Sequence, residues 1–433
     1  MANYLFEVVR VFESWVGGRD LSGDEVYFAS SLLGSPTRRL EVFLERYRGV
    51  VGQVIEERCC DAGGGRMCIY SWSRRAFKRY FPAALDAGGT IIFYGAGGPA
   101  LASYPLHRAF DLGVRGVEVP GEGPSFATPR IDGWQVNLYW DPALGRWAFS
   151  TRYVLHNMAF VRGDLKVEDY GLTINPVVAV AERVSERLGL WDRLGEFKGW
   201  TLTLMIEGPE PATLVGGPPP MDYVESYRLI LVAAREPDGT LLDPLTSSGI
   251  AEKLGVESMA GRVLGISGDM VDYGRGSVEH PSIFLWYLGR GDREHPEIYE
   301  VKSELYEDYV KASKAMDARS FALLLTSESK LVIEKLREAL GEKLVDETLE
   351  ALRKLEEALK ETVERGEVEP LKKALRRKSV KADVIASAVK SLGEGKHRRA
   401  LRILLASILE GWRVEDASLI ISGLADDIRL SLG

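Results

Sequence analysis

ATPRIDGWQVNLYW, residues 127–140, sets a proline and an Asp-Gly pair in front of a run that alternates like a strand. Asp132-Gly133 is a turn signal, because glycine relieves the backbone where a chain reverses. The alternation from Trp134 onward predicts a half-buried β-strand. Five other runs read as strands: TIIFYG, RWAFSTRYV, WTLTLMIEG, YRLILVAARE and IFLWYLG. The turn-rich segments VPGEGPS, VGGPPPMD and EPDG separate them. One helix, NPVVAVAERVSERLGL (175–190), lies among them. Strands without a regular βαβ alternation predict an α+β domain of antiparallel sheets.

Working outward, the 433 residues suffice for two or three domains. The expected boundaries are 1–86, mostly helical; 87–315, the sheet domain; and 316–433, an all-α domain. In the first part, DLSGDEVYFASSLLG and SPTRRLEVFLERYRGVVGQVIEE carry apolar residues at helical spacing, with Ser35-Pro36 as a helix start. In the last part, Val345, Leu349, Leu352, Leu355, Leu359 and Val363 form a stripe that packs in a bundle or across a homodimer.

Composition narrows the function. The formal net charge of -8 gives no global sign of a nucleic-acid binder. Three cysteines cannot build a disulfide framework, and ERCCDAGGGRMC lacks a fourth zinc ligand. A reducing, cytoplasmic setting is expected. The N-terminal MANYLFEVVRVFESW has acids among its apolar residues and reads as neither signal peptide nor transit segment. The uncharged run 87–106 holds five glycines and two prolines, so two short strands and a turn are expected there and no membrane span. GAGGPA lacks the Lys-Ser/Thr ending of a phosphate loop.

Two segments are locally basic. SWSRRAFKRYF (71–81) interleaves Arg74, Arg75, Lys78 and Arg79 with Trp72, Phe77 and Tyr80. It suits phosphate and base contact, or equally a solvated helix face. From Lys372 to Arg402 there are eleven bases and two acids, Lys372, Lys373, Arg376 and Arg377 among them. That segment reads either as a surface for a phosphate backbone or as a solvated face. Charge-rich helices with few cysteines also suit a thermophile.

The order of short motifs from 87 to 315 resembles the ATP-dependent RNA ligases, the RNA-ligase-1-like branch of the covalent nucleotidyltransferases. In that family a lysine takes AMP from ATP, passes it to a 5′-phosphate, and a 3′-hydroxyl then displaces it. AGGTIIFYGAGGPALASYPLHRAFDLG (87–113) resembles the opening hairpin; Pro105, Arg108, Phe110 and Asp111 match in kind, and Gly88 replaces an arginine. PRIDGWQV (129–136) matches the nucleophile motif Lys-x-Asp-Gly at Asp132 and Gly133, with Arg130 at the lysine position. The resemblance implies that Arg152 touches ribose or phosphates, that Glu207 binds the ribose or metal-bound water, and that Arg235 is nucleotide-binding. It also implies metal binding by Glu279, with His280 in place of a glycine, and a phosphate role for Lys302, followed by Tyr306. Glu300 replaces the first lysine of that last motif.

The resemblance implies an α+β nucleotidyltransferase-type domain with flanking helices, followed by the all-α domain. It implies ATP or AMP with magnesium as cofactor and RNA, with 5′-phosphate or adenylated ends, as partner. Arginine stays protonated and is a phosphate clamp but a very poor nucleophile. Arg130 is therefore expected to block enzyme adenylylation. Three accounts follow: a ligase using another lysine, Lys302 or Lys198; a protein that seals only pre-adenylated ends; and a pseudo-ligase that binds nucleotide or RNA without chemistry. A fourth drops the resemblance for an assembly protein unrelated to ligation.

Overall fold

The computed structural model describes residues 3–73, 80–266, 268–314, 316–327 and 329–432. The chain forms two units, Met1–Gly274 with His280–Lys302, and Arg275–Glu279 with Ser303–Gly433.

The first unit opens with α1 (Tyr4–Val16), α2 (Gly23–Leu32) and α3 (Leu40–Val50). Ser22 and Glu25 close a reciprocal capping box on α2. The helix expected from Ser35-Pro36 starts later, at Leu40, and stops at Val50. The chain beyond it is not helical. Gly52 takes a left-handed φ of 100°, and β1 (Ile55–Ala62) pairs with β2 (Gly65–Trp72) through a Gly63-Gly64 turn. Cys59 and Cys68 face each other in register and are bonded. This is one staple and no framework. Glu57 lies beside the two sulfurs, which are spent on each other.

After α4 (Pro82–Asp86), β3 (Gly88–Gly95) and β4 (Gly98–Ser103) complete a four-stranded antiparallel sheet in the order β1-β2-β3-β4. The uncharged run is thus two strands and a turn, as expected, and no helix among the described residues is long and apolar enough to cross a membrane. A second sheet has the order β5-β16-β15-β6, from Phe110–Asp111, Pro296–Lys302, Ser282–Gly291 and Phe126–Pro129. The third runs β13-β12-β11-β7-β8, from Leu241–Leu242, Arg228–Arg235, Thr201–Glu207, Trp134–Asp141 and Arg146–Thr151; β14 (Glu257–Ser258) adds to β12. Pairing is antiparallel except at β5–β16 and β12–β14. A hairpin of β9 (Met158–Val161) and β10 (Asp164–Val167) follows β8. Helices α5 (Pro176–Leu188), α6 (Ala212–Val215), α7 (Ser248–Leu254) and α8 (Met270–Gly276) flank the strands. The fold class is therefore α+β with antiparallel sheets, as the sequence predicts.

Strand β7 sorts its side chains by alternation. Val136 and Leu138 face α5, in a core with Val178 and Ala181. Tyr139, on the other face, packs against Ile69 and Ile91 of the first sheet. Burying each of these large side chains is worth about 1.5–3 kcal/mol. Gln135 and Asn137 share the Tyr139 face, so β7 presents two amides toward the first sheet.

The second unit is helical: α9 (Tyr306–Ser313), α10 (Ala318–Leu325), α11 (Lys330–Leu340), α12 (Glu342–Glu364), α13 (Val368–Arg377), α14 (Ala382–Gly393), α15 (His397–Ile408) and α16 (Ala417–Leu432). Val345, Leu352, Leu355 and Leu359 of the α12 stripe are buried within this bundle, in a core with Leu424 and Ile428 of α16. The bundle itself covers most of the stripe, without a second copy.

Candidate functional site

The opening stretch spans two sheets. Phe126–Pro129 is β6 and Trp134–Asp141 is β7, so Arg130–Gly133 is the crossover between them. The Arg130 amide donates to the Ser282 carbonyl at 2.8 Å, fixing the exit from β6. A Cβ on Gly133 would lie 2.2 Å from the Ile206 carbonyl oxygen of β11. Gly133 is needed for this close approach of two backbones. Asp132 turns inward, its Oδ1 accepting the Thr213 amide at 3.0 Å and its carbonyl the Ala212 amide at 3.3 Å. It thereby ties the crossover to the first turn of α6.

Arg130 does not stand alone. Its Nη1 lies 3.1 Å from Glu300 Oε1, and the same oxygen accepts from Ser282 Oγ at 2.8 Å. Arg152 is close enough to feel both charges. Burial lowers its pKa most, with the like charge of Arg130 adding and Glu300 opposing. Its Nη2 donates to Gln135 Oε1 at 2.5 Å, and Gln135 donates on to Asn137 at 3.3 Å. The Arg152 guanidinium sits 4.6 Å from the Trp72 ring centre. Arg108 approaches the same indole at 5.2 Å and Tyr80 at 4.6 Å. Burial lowers the Arg108 pKa as well, offset by Tyr80, Asp111 and Glu300. Both guanidinium groups remain charged, because arginine starts so high.

Parallel pairing of β5 with β16 sets Asp111 opposite Glu300. Asp111 holds the Lys302 ammonium, and its backbone amide donates to the Tyr80 hydroxyl oxygen at 2.8 Å. Three arginines, one lysine and a serine hydroxyl therefore gather around two carboxylates and two aromatic rings. At Gly88, where the resemblance expected an arginine, a Cβ would meet the Trp72 ring at 3.1 Å. The indole fills that space.

The structure brings Arg108, Arg130, Arg152 and Lys302 together, but not every expected site residue joins them. Glu207 ends β11 and gives both oxygens to Arg262, at 2.6 and 2.8 Å, with Arg228 on the second oxygen. Arg235 lies at the opposite end of β12 from Arg228. It is buried, donates to the Gly239 and Glu294 carbonyls at 2.6 and 2.8 Å, and stacks 3.6 Å from the Tyr104 ring centre. Glu279 belongs to the second unit, where it pairs with Lys335. Lys372, Lys373, Arg376 and Arg377 lie on α13, also in the second unit. Arg74, Arg75 and Lys78 lie outside the described residues. Lys198 stacks on Trp140 at 4.2 Å.

The arrangement fits an anion and does not fit a resident divalent metal. Glu207 and Glu279, the carboxylates expected to hold magnesium, are each bound by cations. Gln135 and Ser282 escaped the sequence reading, whereas Trp72 and Tyr80 were named in it as aromatics of the basic segment 71–81. The signal for Gln135 was present, since it alternates with Asn137 as polar residues on one face of an apolar strand.

No protein-family model matches the chain, and no curated protein does. Solved structures are similar to it. Two of them are titled archaeal ATP-dependent RNA ligase, form 1 and form 2, each at 12% identity and a TM-score of 0.39. The first covers 67% of this chain and 68% of its own, the second 69% and 71%.

The Glu207 network gives a pH-dependent prediction. Burial pulls its carboxyl pKa up, but hydrogen bonding and charge from Arg262 and then Arg228 override this, and the net shift is downward. A carboxylate depressed in the folded state stabilises above its unfolded pKa of about 4.3, and that stability is lost as pH falls through the folded value. Glu207→Gln is expected to cost about 1.5–3 kcal/mol near neutral pH. Wild type and variant should converge in acid. Urea unfolding at about pH 7 and about pH 3 reads this difference directly.

Proposed function

We propose that the first unit binds the phosphate of a nucleotide or of an RNA end at the Arg130–Arg152 cluster, without forming a covalent bond to it. The observation that supports this is the guanidinium of Arg130, paired with Glu300 where catalysis would need a free amine. Arginine forks recognise phosphate oxygens well and do not attack phosphorus. The Trp72 and Tyr80 rings add surfaces on which a base can stack. Glu300 is an internal anion in the same place. It holds Arg130 until a phosphate with more charge displaces it, so binding is weaker than the cations alone would give.

In this reading the protein is a member of the ligase-like fold that recognises ends. Metal-dependent steps are not assigned to it, because its candidate ligands are engaged by arginine and lysine. Arg152→Ala should weaken binding of AMP and of 5′-phosphorylated RNA by about tenfold or more, the value of one lost charge-assisted contact. The 5′-hydroxyl form of the same RNA should be unaffected. Equal loss for both RNAs would remove the phosphate from the reading. Sealing of pre-adenylated RNA to an acceptor by the wild-type chain would replace it with a partial ligase.

A further inference from the structure

Three consecutive helices of the second unit carry a local excess of positive charge, only part of which is met by ion pairs. Eleven lysines and arginines lie between Lys372 and Arg402, against two acids. Lys372 pairs with Glu369, Lys378 with Asp427 and Lys396 with Glu394. Lys373, Arg376, Arg377, Lys390, Arg399 and Arg402 are exposed, and among the described residues none has a carboxylate within ion-pair distance. Helix α12 of the same unit behaves differently: Arg353, Lys354 and Lys360 each pair with glutamates one turn away. A merely solvated face is laced with such pairs, as α12 is. On α13 and α15, Lys373, Arg376, Arg377, Arg399 and Arg402 make no such pair among the described residues.

Position sharpens the contrast. Lys373, Arg376 and Arg377 share one face of α13, opposite the buried Leu371, Ala374 and Leu375. On α15, Arg399 and Arg402 line an open cleft against α10, together with Arg398, and its floor is Leu323, Ile403 and Ala406. Arg319 precedes Leu323 by one turn on α10 and is exposed on the same side.

We propose that α10 and α13–α15 form a docking surface for single-stranded nucleic acid. Exposed arginines grip phosphates in forks, and an apolar strip beside them takes a ribose or an unstacked base. A duplex keeps its bases stacked and would leave that strip uncovered. An acidic protein partner fits less well. A protein interface has an apolar, aromatic-rich centre with few charges, and here the centre is arginine over three aliphatic side chains. The surface is separate from the phosphate site of the first unit and holds whether or not that site works.

The experiment uses the full chain and a 5′-hydroxyl oligouridylate, which has no terminal phosphate for the first unit. Fluorescence anisotropy is followed against salt. With about four phosphate contacts, log K falls with log salt at a slope near -3, so affinity drops roughly fiftyfold between about 50 and about 200 mM. Arg399→Glu/Arg402→Glu should weaken binding by at least about tenfold and flatten the slope by about 1.4. Lys343→Glu on α12 should change neither. If circular dichroism shows that the double charge reversal unfolds, Arg399→Gln/Arg402→Gln takes its place. Absent binding at low salt, or wild-type affinity and slope in the double variant, overturns the proposal. So does displacement of the RNA by an equal concentration of poly-glutamate of the same length, which would make this a face for acidic chains.

Discussion

Arg130→Lys alone leaves the protein at least about tenfold less able to take AMP from ATP than the double variant Arg130→Lys/Glu300→Lys. The reason is the partner the new lysine inherits. Its ammonium would lie beside Glu300, as the Arg130 guanidinium does at 3.1 Å. An opposite charge holds an amine protonated, and only the free amine attacks. Two unit charges at about 4 Å interact by about 4 kcal/mol at an effective dielectric of 20. Arg130 is half exposed, so solvent screening reduces this to about 1–2 kcal/mol, or roughly fivefold to thirtyfold in amine availability. The same carboxylate also repels the triphosphate. Lysine at 300 removes both penalties and supplies a cation beside Lys302. Labelled ATP, magnesium and denaturing electrophoresis compare the two variants; equal labelling would show that Glu300 does not matter.

The second large effect is on stability. Asp86 is fully buried and accepts from the Tyr4 amide at 2.6 Å and from the Tyr104 hydroxyl at 3.1 Å. Its Oδ1 also lies 2.9 Å from His295 Nε2, which is 2.6 Å from the Tyr104 oxygen. Arg235 stacks on Tyr104, and Asp86 is among the charges that stabilise its cationic form. These residues come from α1, α4, the ends of β4 and β12, and the β15–β16 turn, so one carboxylate ties all three sheets. Asp86→Ala strands several buried donors and a buried guanidinium without that anion. The expected cost is about 3–5 kcal/mol, read as a lower urea midpoint for the first unit with an unchanged slope. Asp86→Asn keeps the geometry and should cost less than half as much. A change under about 1 kcal/mol in the alanine variant would mean that the sheets are held together elsewhere.

Much of the sheet framework was legible because alternation is local. Strands β3, β7, β8, β11, β12 and β15 and helix α5 stand where their periodicities place them. The β1–β2 hairpin was not, since VVGQVIEE continues a helical spacing and only tertiary pairing reveals the strand. Strand β6 is four residues long, too short to show a period.

The site was legible in part. Motif order brought Arg108, Arg130, Arg152 and Lys302 into one list, and folding brings them into one place. It also brought in Arg235, but an eight-residue strand runs about 26 Å, and Arg235 sits at its far end. Glu300 was read as a lost cation. That it pairs with Arg130 across 170 residues follows from the β5–β16–β15–β6 sheet and from nothing in the spacing. The two departures from the ligase pattern are thus one feature: an arginine and a glutamate that satisfy each other.

The most direct test is the intact mass of the wild-type chain after incubation with ATP and magnesium. The account predicts the unmodified mass, alongside saturable and reversible binding of AMP that Arg152→Ala weakens. A mass increase of one AMP, located on any lysine of the first unit, would contradict it.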